Sequence, residues 1–292
     1  YHGRSFTTIA ITAQRSWSPT SVSGLSVNYV HGGYRLRSPF RLLDDEAYTD
    51  ACIDDLTQVF DMMTSGDVAA MIAEPIQGVG GFATPPDGFF GAMKKELDNR
   101  GVLFISDEVQ TGWGRTGENF WGYQAHGMTP DLLTFAKGVG NGLALGGVVA
   151  TADLMDSLPG NSLSTFGGNP MSAVGALATI RYMLKHDIQG HALAMGARLA
   201  GHLQPAVDAS PVVAELRGKG LMLAIETVQA GTLEPNTEAA RRIMEEARAA
   251  GLLIGKGGLY GNVLRIAPPM TVTEAEIDEA ADVLVRIIEG LG

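Results

Sequence analysis

The sequence predicts an α/β fold with two domains, and three observations support this prediction. Short apolar runs of strand length alternate with amphipathic stretches of helical period. The chain has 292 residues, 45% of them hydrophobic and 18% charged, which is enough for more than one core. No repeat period or low-complexity tract interrupts the alternation. We expect a large domain over residues 1–180 and a smaller C-terminal α/β domain over residues 181–292.

In the first domain, buried strands should alternate with helices. Continuous apolar runs predict strands at 68–73, 102–105, 132–135 and 147–151. A helix over 88–99 is indicated by apolar residues on one face, namely Phe89, Phe90, Met93 and Leu97. A longer helix should begin at Pro170, which suits a first helical turn, and end near Lys185.

In the second domain, the sequence pattern predicts paired strands between helices. Helices are expected at 192–208, 237–250 and 274–289. Strands are expected at 212–215 and 221–226 around a turn at 217–220, and then at 252–254 and 263–266.

Composition excludes several classes of function. The net charge of −11 argues against a nucleic-acid partner, because phosphate neutralisation needs surplus cations. No apolar run reaches membrane-spanning length, and no basic region followed by an apolar stretch opens the sequence. The single Cys52 fits a reducing compartment, so we expect a cytoplasmic location. The six His residues lack ligand spacing, and we therefore expect no metal site.

Reactive side chains follow three of the predicted strands. Glu74 follows the first, Asp107 ends the second, and Lys137 comes just after the third. Because ligands of open parallel sheets bind at the carboxyl ends of the strands, these side chains should face one rim. Each taken alone would fit a strand-end charge in solvent, but three in succession, each followed by glycine-rich backbone, indicate a site.

Lys137 is the strongest single candidate among six lysines. The end of an apolar strand desolvates an ammonium, which lowers its pKa and frees the amine as a nucleophile. A carboxylate on a neighbouring strand is what a pyridoxal phosphate site requires, because Asp107 would keep the pyridine nitrogen protonated. The sequence therefore predicts pyridoxal 5′-phosphate as cofactor, bound as a Schiff base to Lys137.

The chain resembles the class-III, or subgroup II ω-amino, aminotransferases of the fold-type-I pyridoxal phosphate enzymes. Six segments in the family's order carry the resemblance: YHGRS at 1–5, AEPIQGVGG at 73–81, ISDEVQTGWGRTG at 105–117, PDLLTFAKGVGNG at 130–142, STFGGNP at 164–170 and RIAPPMTVT at 265–273. Within the family, the alanine–glyoxylate aminotransferase 2 branch is the most similar. Family members carry a long N-terminal portion before the first segment, with a loop that binds the cofactor phosphate, so we expect the N-terminal part to be missing here.

This resemblance implies a role for each matching residue. For the cofactor, Asp107 would pair with the pyridinium, Tyr1 would stack on the ring, Gln110 would lie near the ring hydroxyl, and Thr165 would bind the phosphate of the partner subunit's cofactor. Val109 either packs on the other ring face or belongs to the core. For the substrate, the implied residues are Arg4 and Arg265 as carboxylate ligands and Glu74 as the partner of Arg265 when no α-carboxylate is present.

The resemblance also implies a reaction and an assembly. The reaction would be ping-pong amino transfer from an ω-amino acid or alanine to pyruvate or glyoxylate. Alternatives are a 4-aminobutyrate or acetylornithine type of enzyme that uses 2-oxoglutarate, a phospholyase or aminomutase on the same fold, and a catalytically silent binding protein. The expected assembly is a homodimer with shared active sites, with pairing into tetramers left open.

Overall fold

The computed structural model describes residues 1–14, 17 and 24–291, and within this part of the chain the strands form two sheets. Each sheet has four strands, in the orders β1-β2-β3-β4 and β5-β6-β8-β7. Helices pack against both sheets, so the predicted α/β class is confirmed. No helix among the described residues is long and apolar enough to cross a bilayer.

The first sheet brings the ends of three parallel strands to one edge. Its strands are β1 (Ala70–Ala73), β2 (Leu103–Asp107), β3 (Leu132–Phe135) and β4 (Gly147–Ala150). β1, β2 and β3 run parallel, and β4 pairs antiparallel with β3. The carboxyl ends of β1, β2 and β3 therefore lie side by side, as the sequence predicts.

Among the described residues, five helices accompany this sheet: α1 (Phe6–Ala10), α2 (Asp45–Met63), α3 (Phe89–Asn99), α4 (Ala152–Asp156) and α5 (Pro170–Lys185). The predictions for α3 and α5 agree with the structure to within one residue at each end. Helix α2 was not predicted. Its N-cap is Asp44, whose side chain accepts a hydrogen bond from the Ala47 amide. Apolar residues of α2 and α3 share one buried cluster with β2.

The second sheet belongs to the C-terminal part of the chain. Its antiparallel strands are β5 (Val213–Lys219), β6 (Met222–Thr227), β7 (Gly255–Gly257) and β8 (Val263–Ile266). Helices α6 (Ile188–Ala209), α7 (Thr237–Ala249) and α8 (Glu274–Glu289) cover its apolar face and share the largest buried cluster. The boundary at residue 180 falls within α5 and stays a prediction.

Two predictions for the second sheet were wrong. The turn lies at Gly220 and Leu221, not at 217–220, so Arg217 is part of strand β5. Gly220 takes φ +52°, and a Cβ there would meet backbone atoms of Thr116 at 2.5 Å, which leaves glycine as the residue that fits. Strand β7 is 255–257, since residues 252 and 254 pack on the core instead of pairing.

His126 gives the folded protein a defined sensitivity to acid. It is buried edge-on to the Phe90 ring, and burial lowers its pKa from 6.5 to about 4, with Asp87 opposing and Lys219 adding to this shift. Below pH 6.5 the unfolded chain therefore binds a proton that the folded chain excludes. We expect this residue to remove about 3 kcal/mol of folding free energy between pH 6.5 and pH 4.

Urea unfolding of the full-length protein at several pH values measures this effect. His126→Phe should flatten the loss of stability on acidification, whereas His202→Gln, at an exposed histidine beside Asp278, should leave the pH profile of the wild type unchanged. An identical pH slope in wild type and His126→Phe would contradict the assignment.

Candidate active site

Glu74, Asp107 and Lys137 lie at the edge formed by the three parallel strands. Glu74 follows β1 directly, Asp107 is the last residue of β2, and Lys137 follows β3 by two positions. The three charges are close enough to interact, because Glu74 and Asp107 both act on the titration of Lys137. A partly desolvated amine and two buried carboxylates are thus assembled from strands far apart in sequence.

Asp107 is held by hydrogen bonds to both carboxylate oxygens. Its side chain is buried, with the residue 4% exposed. Oδ1 accepts the Val109 amide at 3.1 Å, and Oδ2 lies 2.7 Å from Nδ1 of His2. An ionised carboxylate only accepts hydrogen bonds, so this contact assigns the proton of His2 to Nδ1. These two contacts hold the carboxylate in position.

Lys137 adopts a backbone conformation that residues other than glycine rarely adopt. Its φ is +49°, at the start of a 3₁₀ turn that continues to Gly140. Surrounding protein desolvates the ammonium and lowers its pKa, although Glu74 and Asp107 oppose this shift and Arg265 adds to it. A lowered pKa increases the fraction of free amine at neutral pH, which is the form that attacks a carbonyl.

Glu74 and Arg265 contact the same residue instead of each other. Oε2 of Glu74 accepts the Gly78 amide at 2.8 Å, while Nη1 of Arg265 donates to the Gly78 carbonyl at 3.2 Å. Burial lowers the pKa of Arg265, and the charge of Glu74 opposes this. Nε of Arg265 is buried and has no hydrogen-bond partner among the described residues. The guanidinium therefore keeps donors available for an anion.

Gln110 and Tyr1 border the same region. A Cβ on Gly78 would lie 1.9 Å from the Gln110 amide, so the two residues are in close contact. Gln110 and Arg265 also line one cavity of about 730 Å³. Tyr1 precedes His2, which contacts Asp107, and the Tyr1 ring meets Trp17 edge-on at 5.4 Å between centroids. Val109 is half-buried beside the Asp107 carboxylate.

Two of the predicted site residues lie apart from this group. Arg4 is exposed just before α1. Thr165 is exposed in the segment that leads into α5, and neither residue makes a side-chain hydrogen bond or ion pair with the rim residues in the described part of the chain. Their roles remain predictions that rest on the resemblance.

From the sequence, His2 is the one histidine expected near the candidate site, without a role there, and Glu108 is given no role at all. Glu108 is 0% exposed, and its carboxylate receives four hydrogen bonds, from the side chains of Ser106 and Thr111 and the amides of Gly122 and Tyr123. Burial raises its pKa, and these bonds oppose the shift. Glu108 thereby ties the 3₁₀ turn at 122–126 to the end of β2. The sequence signal for this role was the position of Glu108 directly after Asp107.

The fold and these side chains define a class of protein. A desolvated lysine beside a buried carboxylate, at the carboxyl edge of a mostly parallel sheet, is a donor set that fits pyridoxal phosphate: the amine can bind its aldehyde and the carboxylate can face its pyridine nitrogen. Glycine backbone at Gly78 and a guanidinium with free donors lie next to this pair. The chain thus belongs to the α/β proteins built to hold this cofactor.

Comparison with known proteins identifies the family. The family described as Aminotransferase class-III matches residues 1–288, and the chain belongs to it. It is 38% identical over 95% of its length to "Alanine--glyoxylate aminotransferase 2 homolog 2, mitochondrial" of Arabidopsis thaliana, and 36% identical over 99% to a 4-aminobutyrate aminotransferase of Mycobacterium leprae. The chain spans 57% and 65% of the lengths of these two relatives.

A solved structure agrees in fold over the whole chain. It is an amine transaminase from an uncultivated Pseudomonas species in its pyridoxal-phosphate-bound form, with a TM-score of 0.91 and 31% sequence identity. The match covers 100% of this chain and 68% of that one. The fold-type-I prediction is therefore confirmed.

Proposed function

We propose that the full-length protein is a pyridoxal-phosphate-dependent aminotransferase that moves an amino group from an ω-amino acid or alanine to pyruvate or glyoxylate. The observation that carries this proposal is the convergence of Lys137, Asp107 and Glu74 at one sheet edge. Membership in the class-III family and similarity to the Arabidopsis relative support the reaction and the small acceptors.

In this proposal, two residues carry the chemistry. Pyridoxal phosphate, when bound, supplies an electron sink for the carbon that loses its proton. Lys137 would hold the cofactor through its amine and, as a free amine, would move a proton to and from the substrate carbon. Asp107 holds the positive charge on the ring nitrogen, and His2 and the Val109 amide keep its carboxylate oriented.

Other residues complete the proposed cofactor site. Tyr1 and Val109 would contact the faces of the ring, and Gln110 would lie near its hydroxyl. Thr165 binds the phosphate of the partner subunit's cofactor, which makes the protein a homodimer with shared sites. Exposure of Thr165 and of the apolar side chains around it supports this role, since Leu163 is 91% and Phe166 82% exposed.

Carboxylate recognition is assigned to Arg265 and Arg4, with Glu74 as counter-charge. A site that alternates between two unlike substrates must bind a carboxylate at Arg265 in one half-reaction. In the other half-reaction, no carboxylate is present to pair with this guanidinium. Glu74 already acts on the charge of Arg265 and contacts the same residue, Gly78, so it would serve as the counter-charge when no carboxylate is bound. Such pairing avoids the large cost of an unpaired buried guanidinium.

An acceptor panel tests the proposed function. With one fixed amine donor, the kcat/KM values of the full-length enzyme for pyruvate and glyoxylate should equal or exceed that for 2-oxoglutarate. A preference for 2-oxoglutarate above about tenfold, roughly 1.4 kcal/mol in transition-state binding, would contradict the small-acceptor assignment. That result would favour the 2-oxoglutarate type, which the Mycobacterium leprae relative makes the second candidate. Phosphate release from phosphoethanolamine without an acceptor would instead identify a phospholyase.

We further propose a cytoplasmic location, because the free thiol of the buried Cys52 fits a reducing compartment. The Arabidopsis relative is named as mitochondrial, so fluorescence or fractionation of the tagged full-length protein decides between the two compartments.

A further inference from the structure

A buried charge cluster lies behind the loop formed by residues 78–81. At its centre is Glu226 of β6, which is 0% exposed. Its carboxylate accepts hydrogen bonds from the Tyr34 hydroxyl at 2.7 Å, from Arg37 at 2.6 and 2.9 Å, and from Nη1 of Arg217 at 2.6 Å. Burial alone would raise the pKa of Glu226, but these cations and hydrogen bonds lower it overall, so the carboxylate is charged.

Arg217 uses the rest of its guanidinium to hold the loop. Nε and Nη2 both donate to the Gly81 carbonyl, at 2.9 and 2.7 Å. Gly81 has φ +92°, and a Cβ there would lie 3.0 Å from Cα of Gly258, so the backbone is packed closely. Arg217, Glu226 and the Gly81 carbonyl together form what we name the Arg217 clamp. Its planar, forked geometry is one that lysine cannot reproduce.

The other end of the loop reaches the proposed carboxylate site. Gly78 contacts both Glu74, through its amide, and Arg265, through its carbonyl. Between the two ends, the Val79 carbonyl accepts the Gly258 amide at 3.0 Å. The loop is therefore attached at one end to the Arg217 clamp and at the other to the two side chains that would recognise or replace a substrate carboxylate.

We propose that Arg217 is a positioning residue for carboxylate recognition: through the Gly81 carbonyl it sets the place of the 78–81 loop and so the place of Arg265 and Glu74. This inference rests on the proposed function. Among the described residues, Arg217 makes no hydrogen bond to Lys137, Asp107 or Arg265, and its hydrogen bonds to the 78–81 loop are the two to the Gly81 carbonyl.

Arg217→Lys in the full-length holoenzyme tests the inference. Lysine keeps the charge beside Glu226 but cannot also give two hydrogen bonds to the Gly81 carbonyl. We expect the KM for the oxo-acid acceptor to rise about tenfold, while kcat at saturating acceptor changes less than about twofold. The dissociation constant of propionate, an unreactive carboxylate, should rise in parallel when measured by calorimetry.

Hydrogen exchange separates local loosening from general destabilisation. The amide of Gly81, which donates to Gly78 within the loop, and that of Phe82, which donates to Gln77 across its base, should exchange faster in Arg217→Lys, with no change in helix α8. The control is Arg198→Lys, which replaces an exposed guanidinium bound through two nitrogens to Asp278 and should leave every readout unchanged.

Several outcomes would overturn the inference. These are a fall in kcat as large as the rise in KM, unchanged propionate binding, or faster amide exchange throughout the protein. If Arg217→Lys does not fold, Tyr34→Phe removes only one bond to Glu226 and should raise the KM about threefold in the same assays. A wild-type protein without amino transfer would refute the proposed function, whereas propionate binding and amide exchange would still decide the role of Arg217.

Discussion

Lys137→Ala should abolish turnover of the full-length enzyme, with kcat lower by about 10⁴-fold or more. In the proposed function this residue supplies both the covalent attachment of the cofactor and the proton transfer, and no other described lysine has its pKa lowered by burial beside two carboxylates. The fold should persist, because the Lys137 side chain fills no core cluster and the residue is exposed. The measurement is single-turnover transfer from the donor.

Chemical labelling identifies the attachment independently of rate. Borohydride reduction of the wild-type holoenzyme followed by peptide mapping should find the cofactor on Lys137. Lys256→Ala is the matched control, since Lys256 is an exposed lysine in β7 and its loss should leave rate and labelling intact. Label on Lys219, which is engaged by Asp87 and Glu118, or on Lys256 would refute the assignment.

Local sequence pattern was sufficient to predict the rim of the site. Continuous apolar runs are typical of strands buried on both faces, and parallel strands place their carboxyl ends together, so Glu74, Asp107 and Lys137 could be located before the fold was known. Helix α2 was missed although its buried residues Tyr48, Cys52, Leu56 and Val59 have helical spacing. The flanking turn residues obscured that signal.

Contacts between distant segments could not be predicted in this way. His2 and Asp107 are 105 positions apart, and only the folded backbone brings Nδ1 to within 2.7 Å of Oδ2. The position of the β5–β6 turn depended likewise on Gly220, whose backbone approaches Thr116. Spacing and propensity carry no information on such tertiary approaches, and for this reason the Arg217 clamp was also absent from the sequence prediction.

Asp107→Asn should slow the proton-transfer half-reaction by about 10²- to 10³-fold while part of the cofactor stays bound. The asparagine oxygen can still accept the Val109 amide, so the local backbone keeps its support. The neutral amide, however, no longer offsets positive charge on the ring nitrogen. If its oxygen keeps the Val109 amide, its NH₂ group faces His2 and cannot accept the proton of Nδ1. The electron sink is therefore weakened although the site keeps its shape.

Stopped-flow measurement of the donor half-reaction, together with the cofactor content of the purified protein, separates these effects. Asp131→Asn is the matched control: Asp131 also accepts a backbone amide, that of Phe104 at 2.7 Å, but it lies at the opposite end of β3. This control should transfer amino groups at the wild-type rate, since no charge at the rim changes. If Asp107→Asn reacted as fast as Asp131→Asn, another acid would have to hold the ring nitrogen, and Glu74 would be the nearest carboxylate to examine because it also acts on Lys137.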